Sequence, residues 1–120
     1  MTNFSFTKSQ RLLTKADYIN SFKNSKRVIE DNFVFLCKKN ENAKNRLGIS
    51  VPKMVGNAVL RNKIKRKTRE FFRLRFNAAS GFDLHIMAKK KRLENVNIEA
   101  ELSSFLGKFR YLTRRSLARL

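Results

Sequence analysis

The chain has 120 residues, 42% of them hydrophobic, and 28 Lys or Arg stand against 9 Asp or Glu, for a formal net charge of +19. That size suits one domain with one modest core, expected to span residues 1–120, and the charge predicts a polyanionic partner, either nucleic acid or an anionic membrane surface. No stretch approaches the roughly 20 apolar residues of a membrane span, no hydrophobic signal-peptide core follows Met1, and the lone Cys37 excludes an internal disulfide, so a cytoplasmic protein is expected.

Residues 1–12 read as extended. Thr14 is placed to cap a short helix running to about Asn24, with Asp17 in its first turn and Tyr18 and Phe22 on one face. Lys26 to Glu30 and Asn32 to Lys38 are rich in Val, Ile and Phe and predict two strands, joined by a turn at Glu30-Asp31-Asn32. Cys37 sits in the second, where a small buried hydrophobe is the expected role. Lys39 to Asn45 is polar and reads as a mobile loop. Leu47, Ile49 and Val51 alternate, which predicts a third strand with one buried face, bordered by Pro52.

The segment Asn57 to Phe76 carries eight Lys or Arg and one acid, Glu70, a local net charge of 8 − 1 = +7. At about 100° per residue with Arg61 at zero, Leu60, Ile64, Phe71 and Leu74 fall within roughly 220–300°, and Arg61, Lys65, Arg66, Arg69 and Arg73 within roughly 0–140°. One face is therefore expected to dock on a core and the other to present cations. A solvated charged face mixes signs; this one does not. Gly56-Asn57 predicts a turn and cap, and Glu70 is spaced to pair with Arg66 and Arg73. Asn77 to Gly81 reads as a loop. Phe82, Leu84, Ile86 and Ala88 alternate as a fourth strand, Lys89 to Arg92 is a basic run leaving it, and Ile98, Leu102, Phe105, Leu106, Phe109 and Leu112 recur at helical spacing. The order α-β-β-β-α-β-α predicts an α+β fold, a two-layer α/β sandwich.

Catalytic chemistry is sparse. An autonomous nuclease needs clustered carboxylates for metal ions or a histidine-based acid–base pair. The nine acids are scattered, and the one histidine, His85, lies in a predicted strand opposite Leu84 and Ile86, where a structural role is expected. There is no Gly-rich phosphate loop and no Cys/His zinc spacing. The chain reads as a binder, with no catalytic residue and no metal or cofactor site of its own.

The run Gly56-Asn57-Ala58-Val59-x-Arg61-Asn62-x-x-Lys65-Arg66-x-x-Arg69-Glu70 resembles the signature of the bacterial ribonuclease P protein family. Arg11-Leu12, Asp17-Tyr18 and Phe22, the stretch Arg46 to Val51, and Asp83 within Gly81 to Leu84 are similar to other parts of that family, so the resemblance covers most of Arg11 to Lys89. It departs at Met54, where many relatives carry a second basic residue, and at Tyr18, where phenylalanine is common. The resemblance implies a ribosomal-protein-like sandwich with a left-handed crossover between the third and fourth strands. It also implies an accessory subunit of an RNA-based endonuclease: the RNA subunit holds the Mg2+ and the catalysis, while the protein binds that RNA and the 5′ leader of precursor tRNA. No obligate protein partner and no membrane is implied.

Phosphates of structured RNA are gripped by closely spaced cations without reading sequence. Asn57, Arg61, Asn62, Lys65, Arg66, Arg69 and Arg73 are accordingly expected to bind the RNA subunit. Asn57 and Asn62 serve equally well as caps or as RNA ligands. A single-stranded leader calls for aromatic stacking inside a positive groove. Tyr18 and Phe22 match the family's leader-cleft aromatics, with a core role as the alternative. Phe33, Phe35, Lys53 and Lys89 are expected to line or flank the same cleft. Composition alone equally suits a ribosomal RNA-binding protein, which the specific Arg61-to-Glu70 motif disfavours. The scattered acids disfavour a protein-only nuclease. A membrane-active helix is disfavoured because the core needs the basic helix's apolar arc.

Overall fold

Four short runs of β-branched and aromatic residues pair into one sheet in a computed structural model that describes residues 22–23, 25–40, 44–76 and 81–118, with side chains as far as Tyr111. The strands are β1 (Lys26–Ile29), β2 (Phe33–Lys39), β3 (Arg46–Ser50) and β4 (Phe82–Ala88), in the spatial order β1-β2-β4-β3. β1 with β2 and β2 with β4 are antiparallel, and β3 runs parallel to β4. The parallel pair needs a crossover, which helix α1 (Ala58–Leu74) supplies after a single 3-10 turn at Lys53–Val55. Helix α2 (Ile98–Ala118) is the last described element. The expected α+β two-layer arrangement is present. The helix expected from Thr14 to Asn24, with Tyr18, lies almost wholly outside the described residues, as does most of the loop expected at Asn77 to Gly81.

Register decides which side of the sheet is core. Val28, Phe35, Ile86 and Ile49 stand in one row across the four strands, and Arg27, Leu36, His85 and Gly48 in the neighbouring row on the opposite face. Both helices cover the first face. Phe35 stacks on Phe105 of α2 with ring centroids 4.3 Å apart, and Phe76 packs against Phe71, Phe72, Phe105 and Phe109. Burying each such ring is worth about 2–3 kcal/mol, so this aromatic cluster dominates the cohesion of the two layers.

Two expectations about α1 are corrected. Its buried residues are Ile64, Thr68, Phe71 and Phe72, an arc of roughly 280–20° on the wheel set by Arg61. Leu74 falls outside that arc and is 59% exposed. Thr68 enters the core because its hydroxyl donates to the Ile64 carbonyl at 2.8 Å, which leaves no buried polar group unpaired there. Glu70 makes no ion pair with Arg66 or Arg73 among the described residues.

Polar clamps hold the edges. Arg46 grips Asp83 through two bonds of 2.8 and 2.7 Å, and Asn40 donates to the same carboxylate. Asn32 donates its backbone N–H and its side-chain amide to Glu101, tying the β1–β2 turn to α2. Cys37 is a buried free thiol, pushed up to about 12 by desolvation.

Candidate nucleic-acid interface

Helix α1 begins at Asn57, whose Oδ1 accepts the Leu60 backbone N–H at 2.9 Å. Of its two expected roles, Asn57 therefore performs the capping one. Gly56 lies close against Leu60: a Cβ there would come within 2.7 Å of Cδ2 of Leu60, so that side chain would have to shift. Along the helix the cations divide. Lys67 pairs with Glu99 of α2 at 2.6 Å, which holds the Glu99 carboxyl below its ordinary value. Arg75, just beyond the last turn, donates to Ser103 at 2.8 Å and lies over the Phe71 ring. These two are committed to the helix–helix contact.

The other side is different. Arg66 and Arg69 are exposed, Arg61, Lys65 and Arg73 are half-buried, and Asn62 is exposed among them. The structure thus brings together all the residues expected on the basic face. Arg61 is distinctive: its Nε–H is buried and meets no acceptor among the described residues. A buried donor without a partner is costly, and a phosphate oxygen would satisfy it.

The sheet face away from the helices forms a second candidate surface. Phe22 is 51% exposed and stands edge-on to the His85 ring, with centroids 5.6 Å apart. His85 is buried and shares a 2.8 Å hydrogen bond with Ser50 Oγ. Desolvation lowers its pKa to about 4, so the imidazole is neutral at pH 7 and too weak a base for proton abstraction there. It serves as a platform under Phe22. The sequence reading missed Ser50; the signal was available, since Gly48 and Ser50 alternate with Leu47 and Ile49 and must face the other way.

Phe33 and Phe35 do not belong to this surface. They are 1% and 0% exposed and lie on the core face under α2, so neither is available to stack on RNA. The residues of β2 that alternate with them, Val34 and Leu36, face the cleft side. Lys53 and Lys89 lie just past the ends of the parallel strands β3 and β4, at the same end of the sheet. Their segments are stitched together by the Leu93 N–H donating to the Val55 carbonyl at 3.0 Å. Lys53 is exposed and Lys89 half-buried. Tyr18 lies outside the described residues.

Comparison with known proteins points the same way. The family model described as Ribonuclease P matches residues 6–110. The ribonuclease P protein component of Desulfosudis oleivorans is 45% identical over 104 residues, covering 86% of each chain. That of Citrifermentans bemidjiense is 37% identical over 112 residues, covering 92% of this chain and 97% of the other. Among solved structures, the RNase P protein of Staphylococcus aureus superposes with a TM-score of 0.73 at 36% identity, covering 83% of this chain and 94% of that one. The RNase P protein from Thermotoga maritima gives 0.67 at 35% identity, over 81% and 92%.

Proposed function

The chain belongs to the ribonuclease P protein family, and from that membership we propose how its surfaces divide the labour of the enzyme. It is the accessory protein of the ribonuclease P holoenzyme, an endoribonuclease whose catalysis resides in RNA. It binds the RNA subunit and serves removal of the 5′ leader from precursor tRNA.

Arg61, Asn62, Lys65, Arg66, Arg69 and Arg73 hold the RNA subunit, with Asn57 fixing the helix that presents them. The observation that carries this assignment is the basic face of α1, with the buried Nε–H of Arg61, unpaired among the described residues, at its border. Phe22, with Tyr18, takes the leader on the outer face of the sheet, and Lys53 and Lys89 guide its phosphates at the sheet end. The leader is single-stranded, so an exposed ring beside cations suits it without reading sequence.

The Mg2+ that cleavage requires is assigned to the RNA subunit, and the scattered carboxylates of the chain support that division. Residues 1–120 are read as one domain, supported by a core drawn from all four strands and both described helices. Among the described residues no helix is long and apolar enough to cross a membrane. We place the protein in the cytoplasm with its precursor tRNA substrate, without an obligate protein partner.

Site-directed cross-linking tests the division directly. Cys37 is buried and held protonated, so a thiol-reactive photo-cross-linker reports an introduced cysteine alone. In the assembled holoenzyme, Arg66→Cys is expected to cross-link the RNA subunit and Phe22→Cys the labelled leader. The reverse pattern, or leader cross-links from both positions, contradicts the assignment.

A further inference from the structure

A groove runs along the free edge of the sheet between the first strand and the last helix, apart from the basic face of α1. Arg27, Val28 and Ile29 of β1 form one wall, and Gly107, Lys108 and Tyr111 of α2 the other, around a volume of about 480 Å³. That is enough for a nucleotide. β1 and β3 are opposite edges of the sheet. Strands lie about 4.8 Å apart, so roughly 14 Å of sheet separates the groove from the strand that feeds the basic helix.

Three observations bear on what fills it. Ile29 and Tyr111 are 58% and 62% exposed, giving an apolar edge and an aromatic face at the rim. The charge around them is positive: Arg27 and Arg110 are exposed, and Lys108 pairs with Glu30 at 2.7 Å while its side chain stays 54% exposed. That pair pins α2 to the β1–β2 turn, and Arg27, directed to the outer face of the same edge strand, adds positive charge along that edge. Gly107 lies inside a helix, where alanine is the more favourable residue. A Cβ there would meet nothing within 4 Å, so packing within the chain does not require glycine. Its bare backbone keeps the groove floor open to close approach.

We propose that this groove is a second RNA site, in which a single-stranded segment stacks a base on Tyr111 and lays its backbone along the free edge of β1 above Gly107, with its phosphates toward the cations of that edge. The proposal rests on the reading that the partner is RNA. Charge selects that occupant: a second copy of a chain with net charge +19 would meet like charge here. An RNA that engages both this groove and α1 passes around the protein, and the two contacts reinforce one another through a shared strand.

The chain contains no tryptophan, so Tyr111→Trp keeps a stacking ring and makes it the sole indole, excited apart from the remaining tyrosine. Full-length Tyr111→Trp protein is titrated with fluorescein-labelled oligouridylate, following indole quenching and label anisotropy together, with polyglutamate as a polyanion without bases. Saturable quenching by oligouridylate is expected, with none by polyglutamate. Adding Gly107→Leu is expected to move that quenching to about tenfold higher RNA, the scale of one lost base stack, while Gly107→Ala leaves it in place. Anisotropy that saturates without quenching, equal quenching by polyglutamate, or indifference to Gly107→Leu overturns the second site and leaves the basic helix as the RNA contact. Absence of any anisotropy change would instead count against the RNA-binding reading itself.

Discussion

Phe22 and His85 meet edge to face, their centroids 5.6 Å apart and their planes at 78°. The contact holds a half-exposed ring against a buried, uncharged one, so Phe22 is oriented by the sheet while about half of it stays open to solvent. This is the geometry a stacking platform for single-stranded RNA requires.

Phe22→Ala is therefore expected to reduce the holoenzyme's preference for precursor over mature tRNA by about tenfold, in line with about 1–3 kcal/mol for one stacked base. Assembly with the RNA subunit should be unaffected. Phe35→Ala should behave oppositely, costing about 3–5 kcal/mol of stability because it empties the core. Equilibrium binding to labelled precursor and mature tRNA, beside urea denaturation, separates the two. Full discrimination retained in Phe22→Ala would remove that residue from the leader cleft.

Replacing Arg61 and Lys65 together by Ala should weaken RNA-subunit binding and flatten its dependence on salt. Each lost phosphate contact lowers the slope of log K against log salt by about 0.7–0.9. Filter binding across a salt series measures this. Unchanged affinity at both low and high salt contradicts the assignment of α1.

Asn57→Ala should cost about 1 kcal/mol of stability through loss of the cap. Asn57→Asp, which keeps an acceptor for the Leu60 N–H, should cost less. Thermal melts of the two variants make the comparison. Equal losses would show that the side chain acts other than by capping.

His85 links stability to pH. Burial lowers its folded-state pKa from 6.5 to about 4, so between those values the unfolded chain binds the extra proton and the native chain does not. Stability is fully present above pH 6.5 and declines as pH falls toward 4. His85 is the only histidine, so urea midpoints should fall through this window in the parent protein and less steeply in His85→Gln. Parallel profiles for the two proteins would show that His85 does not carry the effect.

Much of this architecture is legible in the sequence, for physical reasons that can be named. Alternation in Leu47, Ile49 and in Phe82, Leu84, Ile86 marks strands with one buried face, and the 3.6-residue recurrence from Ile98 to Phe109 marks α2. Asn57 before a charged amphipathic run marks the start of α1. The orientation of β2 was not legible, because Phe33, Phe35 and Cys37 on one side and Val34 and Leu36 on the other are both apolar. Only the placement of α2 over Phe35 decides between them, and the cleft aromatics assigned to β2 fall with that decision. The basic face was legible because it needs only helical periodicity. Leu74 was misplaced because periodicity alone cannot show how far α2 turns the buried arc of α1 toward Thr68 and Phe72.

The most direct test of the central claim is cleavage of a 5′-labelled precursor tRNA at low magnesium by the protein alone, by bacterial ribonuclease P RNA alone, and by both together. Efficient cleavage at the mature 5′ end with both present, and none by the protein alone, is the predicted result. Cleavage by the protein alone, or no enhancement of the RNA by the protein, would contradict it.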